Sequence, residues 1–246
     1  MSKICVVIPC FNEYNRLDEE SYLDFIKENH NDFDVLFVND GSTDSTWQKL
    51  ISISNQFPNT IFCLNLDTNV GKAEAVRHGV LYANNQNKYV FVAYFDADLA
   101  TPLSELLILK KIVNEKQEIK LILCSRIKRL GATVNRSRTR HILGRVFSTF
   151  ASIILKLPVY DSQCGAKIIH SSVIAATFNE KFITKWLFDI EILARLRNEH
   201  KENILDILFE HPITSWKDIS GSKIKIKHLL KVPFDLIKIN RKYNRS

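Results

Sequence analysis

Two carboxylates, Asp96 and Asp98, stand either side of Ala97 at the end of the apolar run Tyr89-Val90-Phe91-Val92-Ala93-Tyr94-Phe95. Residues two apart on an extended chain point the same way. The run is long enough for one strand and apolar on both faces, the pattern of a parallel sheet with helices on each side. Two clusters of anionic oxygen therefore converge at the carboxyl end of a strand, where open α/β sheets bind ligands. Hard cations such as Mg²⁺ or Mn²⁺ take oxygen ligands of this kind, one or two carboxylates with the remainder from substrate phosphates. The alternative is a solvated turn with Asp98 as a helix cap ahead of Thr101-Pro102.

Other strand ends carry polar groups of the same sort. Ile4-Cys5-Val6-Val7-Ile8 reads as a strand stopped by Pro9, and Asn12 and Glu13 follow at once. Asp34 to Val38 is a second strand, ending in Asn39-Asp40-Gly41-Ser42-Thr43-Asp44. The Asp40 carboxylate can accept an N–H from a purine or pyrimidine ring, and Glu13 can bind ribose hydroxyls. Gly41 permits a tight turn and close backbone approach. A plain turn at Asp40-Gly41 and capping by Asp44 are the structural alternatives. Asn69-Val70-Gly71-Lys72 precedes a helix, so Lys72 can meet a diphosphate at a helix N-terminus or simply be solvated. It lacks the upstream glycine and the following Ser/Thr of a P-loop.

The elements that must position these residues alternate. Helices are expected at Leu17–Glu28, Ser45–Phe57, Ala73–Asn84 and Pro102–Glu115, and further strands at Thr60–Leu66, Tyr89–Phe95 and Leu121–Cys124. Such alternation argues for βαβ units and a mostly parallel sheet. Beyond it come a basic loop from Arg126 to Arg140, a helix over Ile142–Leu155, turn residues at Tyr160–Gly165, a helical stretch over Phe182–Arg197 and a strand at Ile204–Phe209. This second part reads as an elaboration of the same sheet, residues 1–125 and 126–222 being its two halves. Ser220-Gly221-Ser222 then separates a basic segment, residues 223–246.

With 246 residues, 46% hydrophobic and 25% charged, the chain has the composition of a globular protein with a full core. Its net charge of +7 is unevenly divided. Residues 1–125 hold 11 Lys+Arg against 17 Asp+Glu, and residues 126–246 hold 23 against 10. The second half thus faces something anionic. Five cysteines without a C-x-x-C favour a reduced, cytosolic protein over a disulfide framework or a zinc site. The N-terminus enters a strand almost at once, so no signal peptide is expected. The apolar stretch Val146–Leu155 is far short of the roughly 20 residues of a membrane span.

Pro9-Cys10-Phe11-Asn12-Glu13, Val38-Asn39-Asp40-Gly41-Ser42-Thr43-Asp44, Asn69-Val70-Gly71-Lys72-Ala73 and Asp96-Ala97-Asp98, in that order, resemble the family 2 inverting glycosyltransferases of the GT-A fold. The resemblance implies a Rossmann-like, mostly parallel sheet flanked by helices. It also implies that the first two elements hold the nucleotide, through Pro9, Asn12, Glu13, Asp40, Gly41 and Ser42. Asp96 and Asp98 would hold a divalent cation on the donor diphosphate, with Ala97 and Lys72 beside it. In the second half, Cys124-Ser125-Arg126, Arg136-Ser137-Arg138-Thr139-Arg140, Asp161-Ser162-Gln163-Cys164-Gly165-Ala166-Lys167, Trp186-Leu187-Phe188-Asp189-Ile190-Glu191 and Trp216-Lys217-Asp218-Ile219-Ser220-Gly221-Ser222-Lys223 are similar to the dolichyl-phosphate β-glucosyltransferase branch. Ala166 stands where that branch usually has Phe. The activity implied is metal-dependent transfer of a hexose, glucose from UDP-glucose, to a polyprenyl phosphate with inversion. GDP-mannose as donor, a saccharide as acceptor, or nucleotide-sugar binding without turnover are the alternatives.

The chemistry agrees with that resemblance. A lipid monophosphate is already an anionic nucleophile, with a second pKa of about 6. The site then needs cations to hold it in line more than a strong base. Residues 126–145 hold six Arg and one Lys and no acid. Arg126, Arg136 and Arg140 are expected as acceptor-phosphate ligands, the alternative being a solvated basic loop or general membrane attraction. Gln163 and Lys167 are expected to approach the diphosphate or acceptor. Asp189 falls where the family carries a catalytic or acceptor-orienting carboxylate, with capping or an ion pair to an Arg as the structural alternative. Lys223 to Arg245 holds eight Lys+Arg and one acid, Asp235, among apolar residues. Such a segment suits the anionic, cytoplasmic surface of a membrane or docks in part on the core, and Pro233 would kink a helix there. Nucleic acid is the weaker candidate partner, since no nucleic-acid module is visible.

Overall fold

The computed structural model describes residues 3–135, 138–217 and 231–243, and of residues 138–143 only the backbone. In chain order the first half runs β1 (Ile4–Cys10), α1 (Glu19–Asn29), β2 (Phe33–Asp40), α2 (Thr46–Gln56), β3 (Ile61–Leu66), α3 (Lys72–Asn85), β4 (Phe91–Phe95), α4 (Glu105–Glu115) and β5 (Leu121–Ser125). There follow β6 (Thr133–Asn135), α5 (Arg138–Leu155), β7 (Ala166–His170), α6 (Ile174–Phe178), α7 (Phe188–His200), α8 (Ile204–Ile207), β8 (Leu208–Pro212), β9 (Ser215–Lys217) and α9 (Val232–Tyr243). Seven strands form one sheet in the order β3-β2-β1-β4-β7-β5-β8. All its pairings are parallel except those of β7, which lies antiparallel between β4 and β5.

Strands β1 and β2 are rich in β-branched and aromatic residues, and every residue of β2 is buried. Apolar side chains on both faces of the sheet feed two cores. One holds Tyr22, Leu50 and Leu106 of α1, α2 and α4; the other holds Val76, Leu155, Leu193 and Leu236 of α3, α5, α7 and α9. The order of strands reverses between β1 and β4, so their carboxyl ends border the crevice where such sheets bind ligands.

Several expected boundaries move. Pro9 does not stop β1: it pairs in register with Val38. The ladder to β4 has already ended at Val7↔Tyr94, so the missing N–H interrupts nothing on that side. The fourth helix starts at Glu105 rather than Pro102, and the one after the basic loop starts at Arg138 rather than Ile142. The helical stretch expected from Phe182 starts at Phe188, after a loop held by Arg195. The strand expected over Ile204–Phe209 is one helical turn followed by β8, because only residues from Leu208 reach the edge of β5. Strand β7 falls directly after the turn residues expected at Tyr160–Gly165. In α9, Pro233 occupies the second position, in the first turn, where no intrahelical N–H is needed. Part of the basic C-terminal segment therefore docks: Leu236 and Ile239 are buried, while Phe234 and Ile237 are exposed. Residues 218–230, including Ser220-Gly221-Ser222, lie outside the described residues. All five cysteines are free thiols, four of them buried.

Candidate active site

Asp96 and Asp98 follow directly on β4, and their turn is unusually constrained. Leu99 has φ +52°, a left-handed conformation rare for a non-glycine residue and typical of functional turns. The Ala100 N–H donates to Asp98 Oδ1 at 3.1 Å, and the Tyr22 hydroxyl donates to Ala97 O at 3.3 Å. Gly165 lies against Asp96 so closely that a Cβ there would overlap its carboxylate, and Gly165 O accepts the Asp96 N–H at 3.1 Å.

Two cations meet the carboxylates. Lys72, the first residue of α3, forms an ion pair with Asp96. Arg16, from the loop after β1, donates to Asp98 Oδ2 at 3.2 Å and lies 3.4 Å from Glu13. Burial, and then the charge of Asp96, push Asp98 above its ordinary pKa, against the pull of Ala100, Arg16 and Lys72. Burial opposes the charge on Lys72, but Asp96 and, behind it, Asp189 raise its pKa above the ordinary value. Both aspartates are partly exposed, at 34% and 25% of their side chains. Two adjacent, accessible carboxylates fit an Mg²⁺ or Mn²⁺ ion that takes its other ligands from a diphosphate. Among the described residues no group of three or more His, Cys, Asp or Glu forms a closed metal cage.

The loops after β1 and β2 are pinned to each other. Asn12, at φ +51°, accepts the Thr43 N–H at 2.8 Å, and its own N–H donates to Ser42 Oγ at 3.0 Å. The Glu13 N–H donates to Thr46 Oγ1 at 2.8 Å. Gly41 has φ +60° and abuts the backbone of Thr68 and Asn69, where a Cβ would overlap. Asp40 is 2% exposed, and its carboxylate accepts from the Val70 and Gly71 N–H groups at 2.7 and 3.0 Å and from Asn69 Nδ2 at 3.1 Å. Burial raises its pKa above the ordinary value in spite of those donors. The observed work of Asp40 is thus to hold the Asn69–Lys72 loop that delivers Lys72.

Two of the residues expected at an acceptor phosphate, Arg126 and Lys167, are paired within the fold. Arg126 makes a bidentate pair with Asp161, at 2.7 and 2.9 Å, and its guanidinium lies 5.5 Å from the centre of the Trp216 ring. Asp161 outweighs burial and raises the arginine's pKa. Lys167 is fully buried, with its ammonium donating to Asp189 Oδ1 and to Cys164 O, both at 2.7 Å. Both pairings have the same reason: a cation buried in this fold needs a nearby carboxylate. Asp189 also accepts the Tyr94 hydroxyl at 2.5 Å, and its ion-pair partner is Lys167 rather than the arginine considered above. Gln163 adjoins this region, with no hydrogen-bond partner at Nε2 among the described residues. Arg136 lies outside the described residues, and of Arg140 only the place on α5 is described. Arg16 and Tyr94 were not read from the sequence as site residues, since neither lies in a motif and each is defined by a partner 82 or 95 positions away.

A mostly parallel sheet with paired carboxylates at its switch point is the arrangement expected of the GT-A architecture. A family model described as Glycosyl transferase family 2 matches residues 5–184, and the chain belongs to that family. Among curated relatives, the dolichyl-phosphate beta-glucosyltransferase ALG5D of Trichomonas vaginalis is 29% identical, over 96% of this chain and 72% of its own. The dolichyl-phosphate beta-glucosyltransferase of Saccharomyces cerevisiae is 30% identical, over 98% and 75%. Among solved structures, glucosyl-3-phosphoglycerate synthase from Mycobacterium tuberculosis in complex with UDP has a TM-score of 0.68 at 18% identity, covering 98% of this chain and 80% of its own. The same enzyme in complex with Mn²⁺, UDP-glucose and phosphoglyceric acid has a TM-score of 0.66 at 17% identity, covering 98% and 79%. These structural likenesses show the fold.

Proposed function

We propose that this chain transfers glucose from UDP-glucose to a polyprenyl phosphate, with inversion at the anomeric carbon, on the cytoplasmic surface of a membrane. The observation that carries the reading is the crevice between β1 and β4. There Asp96, Asp98, Lys72 and Arg16 converge in a protein whose relatives are dolichyl-phosphate beta-glucosyltransferases. Asp96 and Asp98 would hold Mg²⁺ or Mn²⁺, which supplies charge stabilisation to the departing diphosphate.

Lys72 stands at the N-terminus of α3, where backbone N–H groups and a lysine favour a phosphate together. Asn12, Glu13 and Ser42 shape the nucleoside end of the crevice, and Pro9, Asp40, Gly41 and Ala97 form its wall. The acceptor phosphate, an anion near neutral pH, needs alignment more than deprotonation. Asp189, held rigidly by Tyr94 and Lys167, is suited to orient it. Arg126, fixed by Asp161, borders the same region, and Arg136 and Arg140 of the basic loop are the remaining candidates for that phosphate. No helix among the described residues is long and apolar enough to cross a membrane. Support for a surface-bound enzyme comes from α5 and α9, whose Phe150, Ile153 and Phe234 are 57%, 66% and 67% exposed.

Transfer of radiolabel from UDP-glucose or GDP-mannose to dolichyl phosphate in detergent, with Mn²⁺ or with EDTA, tests the reading. Label is expected in the lipid phase from UDP-glucose and metal alone, and Asp98→Ala is expected to abolish it with the fold retained. Label from GDP-mannose would reassign the donor. Turnover that survives Asp98→Ala would remove the metal assignment.

A further inference from the structure

Between the Arg126–Asp161 pair and the Asp96 carboxylate runs a short crossing segment, residues 161–165. Its two ends are fixed: Asp161 is paired with Arg126 and its N–H donates to Glu210 Oε1 at 2.8 Å, and Gly165 lies against Asp96. Between them, Ser162 is 1% exposed, yet its hydroxyl has no hydrogen-bond partner among the described residues, and neither has Gln163 Nε2, itself buried. Buried hydroxyls and amides are nearly always satisfied, because leaving one unpaired forfeits its hydration for nothing. Two adjacent exceptions beside a reaction centre call for a ligand.

The chemistry of the place narrows that ligand. The nearby cations are consumed, Arg126 by Asp161 and Lys167 by Asp189. What remains is one hydroxyl, which can donate and accept, and one amide N–H₂, which donates. That set suits a neutral polyhydroxylated ring better than a phosphate. The segment also touches the carboxylate proposed to meet the donor diphosphate, and the transferred sugar hangs from that diphosphate. We infer that Ser162 and Gln163 hydrogen-bond the hydroxyl groups of the donor hexose and set which hexose is accepted. This rests on the donor site proposed above.

Calorimetric titration of UDP and of UDP-glucose, each with MnCl₂, into wild type, Ser162→Ala and Gln163→Leu tests it. Each substitution is expected to leave UDP affinity within about twofold and to weaken UDP-glucose about tenfold, the worth of one hydrogen bond of ordinary strength. In transfer assays the preference for UDP-glucose over its epimer UDP-galactose is expected to fall by a similar factor. Thermal unfolding without ligand is expected to stay level or rise, because each change removes an unpaired buried polar group, whereas a structural role predicts a fall. An equal loss for UDP and UDP-glucose, or unaltered sugar preference in both variants, overturns the inference while the donor site stands. A wild type that binds neither UDP nor UDP-glucose overturns both.

Discussion

At the residue scale the site is built by pairing charges that the fold has taken out of water. Lys167 and Asp189 illustrate the rule: removing one partner leaves the other buried and uncompensated, which costs about 3–5 kcal/mol. Lys167→Met is therefore expected to lower unfolding free energy by about that amount in urea titrations. Lys167→Met with Asp189→Asn is expected to recover a large part of it. A double variant no more stable than the single one would show that the lysine acts through packing alone. Gly165 is a second case. Any Cβ there meets the Asp96 carboxylate, so Gly165→Ala displaces a proposed metal ligand from beside it. Mn²⁺-dependent transfer is expected to need about 10–100-fold more metal. Unchanged metal dependence would remove Asp96 from the ion's coordination.

At the scale of elements, polar side chains at strand and helix ends join pieces distant in sequence. Glu105, the first residue of α4, accepts from the Thr214 N–H at 2.8 Å and its hydroxyl at 2.5 Å, and faces His211 Nε2 at 3.0 Å. It thereby ties α4 to the link between β8 and β9. Burial alone would raise its pKa, but the hydrogen bonds from His211 and Thr214 outweigh it and bring it below the ordinary value near 4.5. The sign follows: a depressed folded value means that Glu105 binds its proton more readily in the unfolded chain. Its contribution is complete above about pH 4.5 and is lost as pH falls through the folded value. Glu105→Gln is expected to cost about 2–3 kcal/mol at pH 7, with the gap to wild type closing as pH falls through the folded value. A gap that is constant with pH would mean that the carboxylate's charge is irrelevant there.

At the scale of the molecule, apolar side chains of α5 and α9 are left to solvent. Val146, Phe150 and Ile153 recur at helical spacing on α5, and Phe234 and Ile237 do so on α9. Lys156, just after α5, and Lys231, Lys238 and Arg241, at or within α9, are exposed too. A bilayer carrying anionic lipid would cover the apolar groups and attract the cations. Co-sedimentation with vesicles of mixed neutral and anionic phospholipid is expected for wild type. Phe150→Ser with Phe234→Ser is expected to lower partitioning by at least about tenfold, from two lost aromatic burials. Equal binding by the double variant would move the membrane contact elsewhere.

How much was legible beforehand divides along the same lines. Periodicity and strand-end chemistry in residues 1–125 located the parallel strands, the helices between them and the carboxylate turn, because βαβ units are local and their buried strands are continuous apolar runs. The antiparallel β7 was not legible: Ala166-Lys167-Ile168-Ile169-His170 has a lysine at its heart, and only an aspartate 22 residues away makes that lysine tolerable in a core. The short run at Ile204–Phe209 is compatible with a turn of helix or a strand until the edge of β5 claims its end. Likewise, residue type announced that Arg126, Lys167 and Asp40 were charged groups near the reaction, but not whether each faced a ligand or a partner. The sequence by itself determined the parallel βαβ frame and the Asp96–Asp98 pair, since local pattern and spacing suffice for both. Tertiary structure alone decided which carboxylate each buried cation meets, Asp161 for Arg126 and Asp189 for Lys167, because burial and partner distance are properties of contacts the chain makes only when folded.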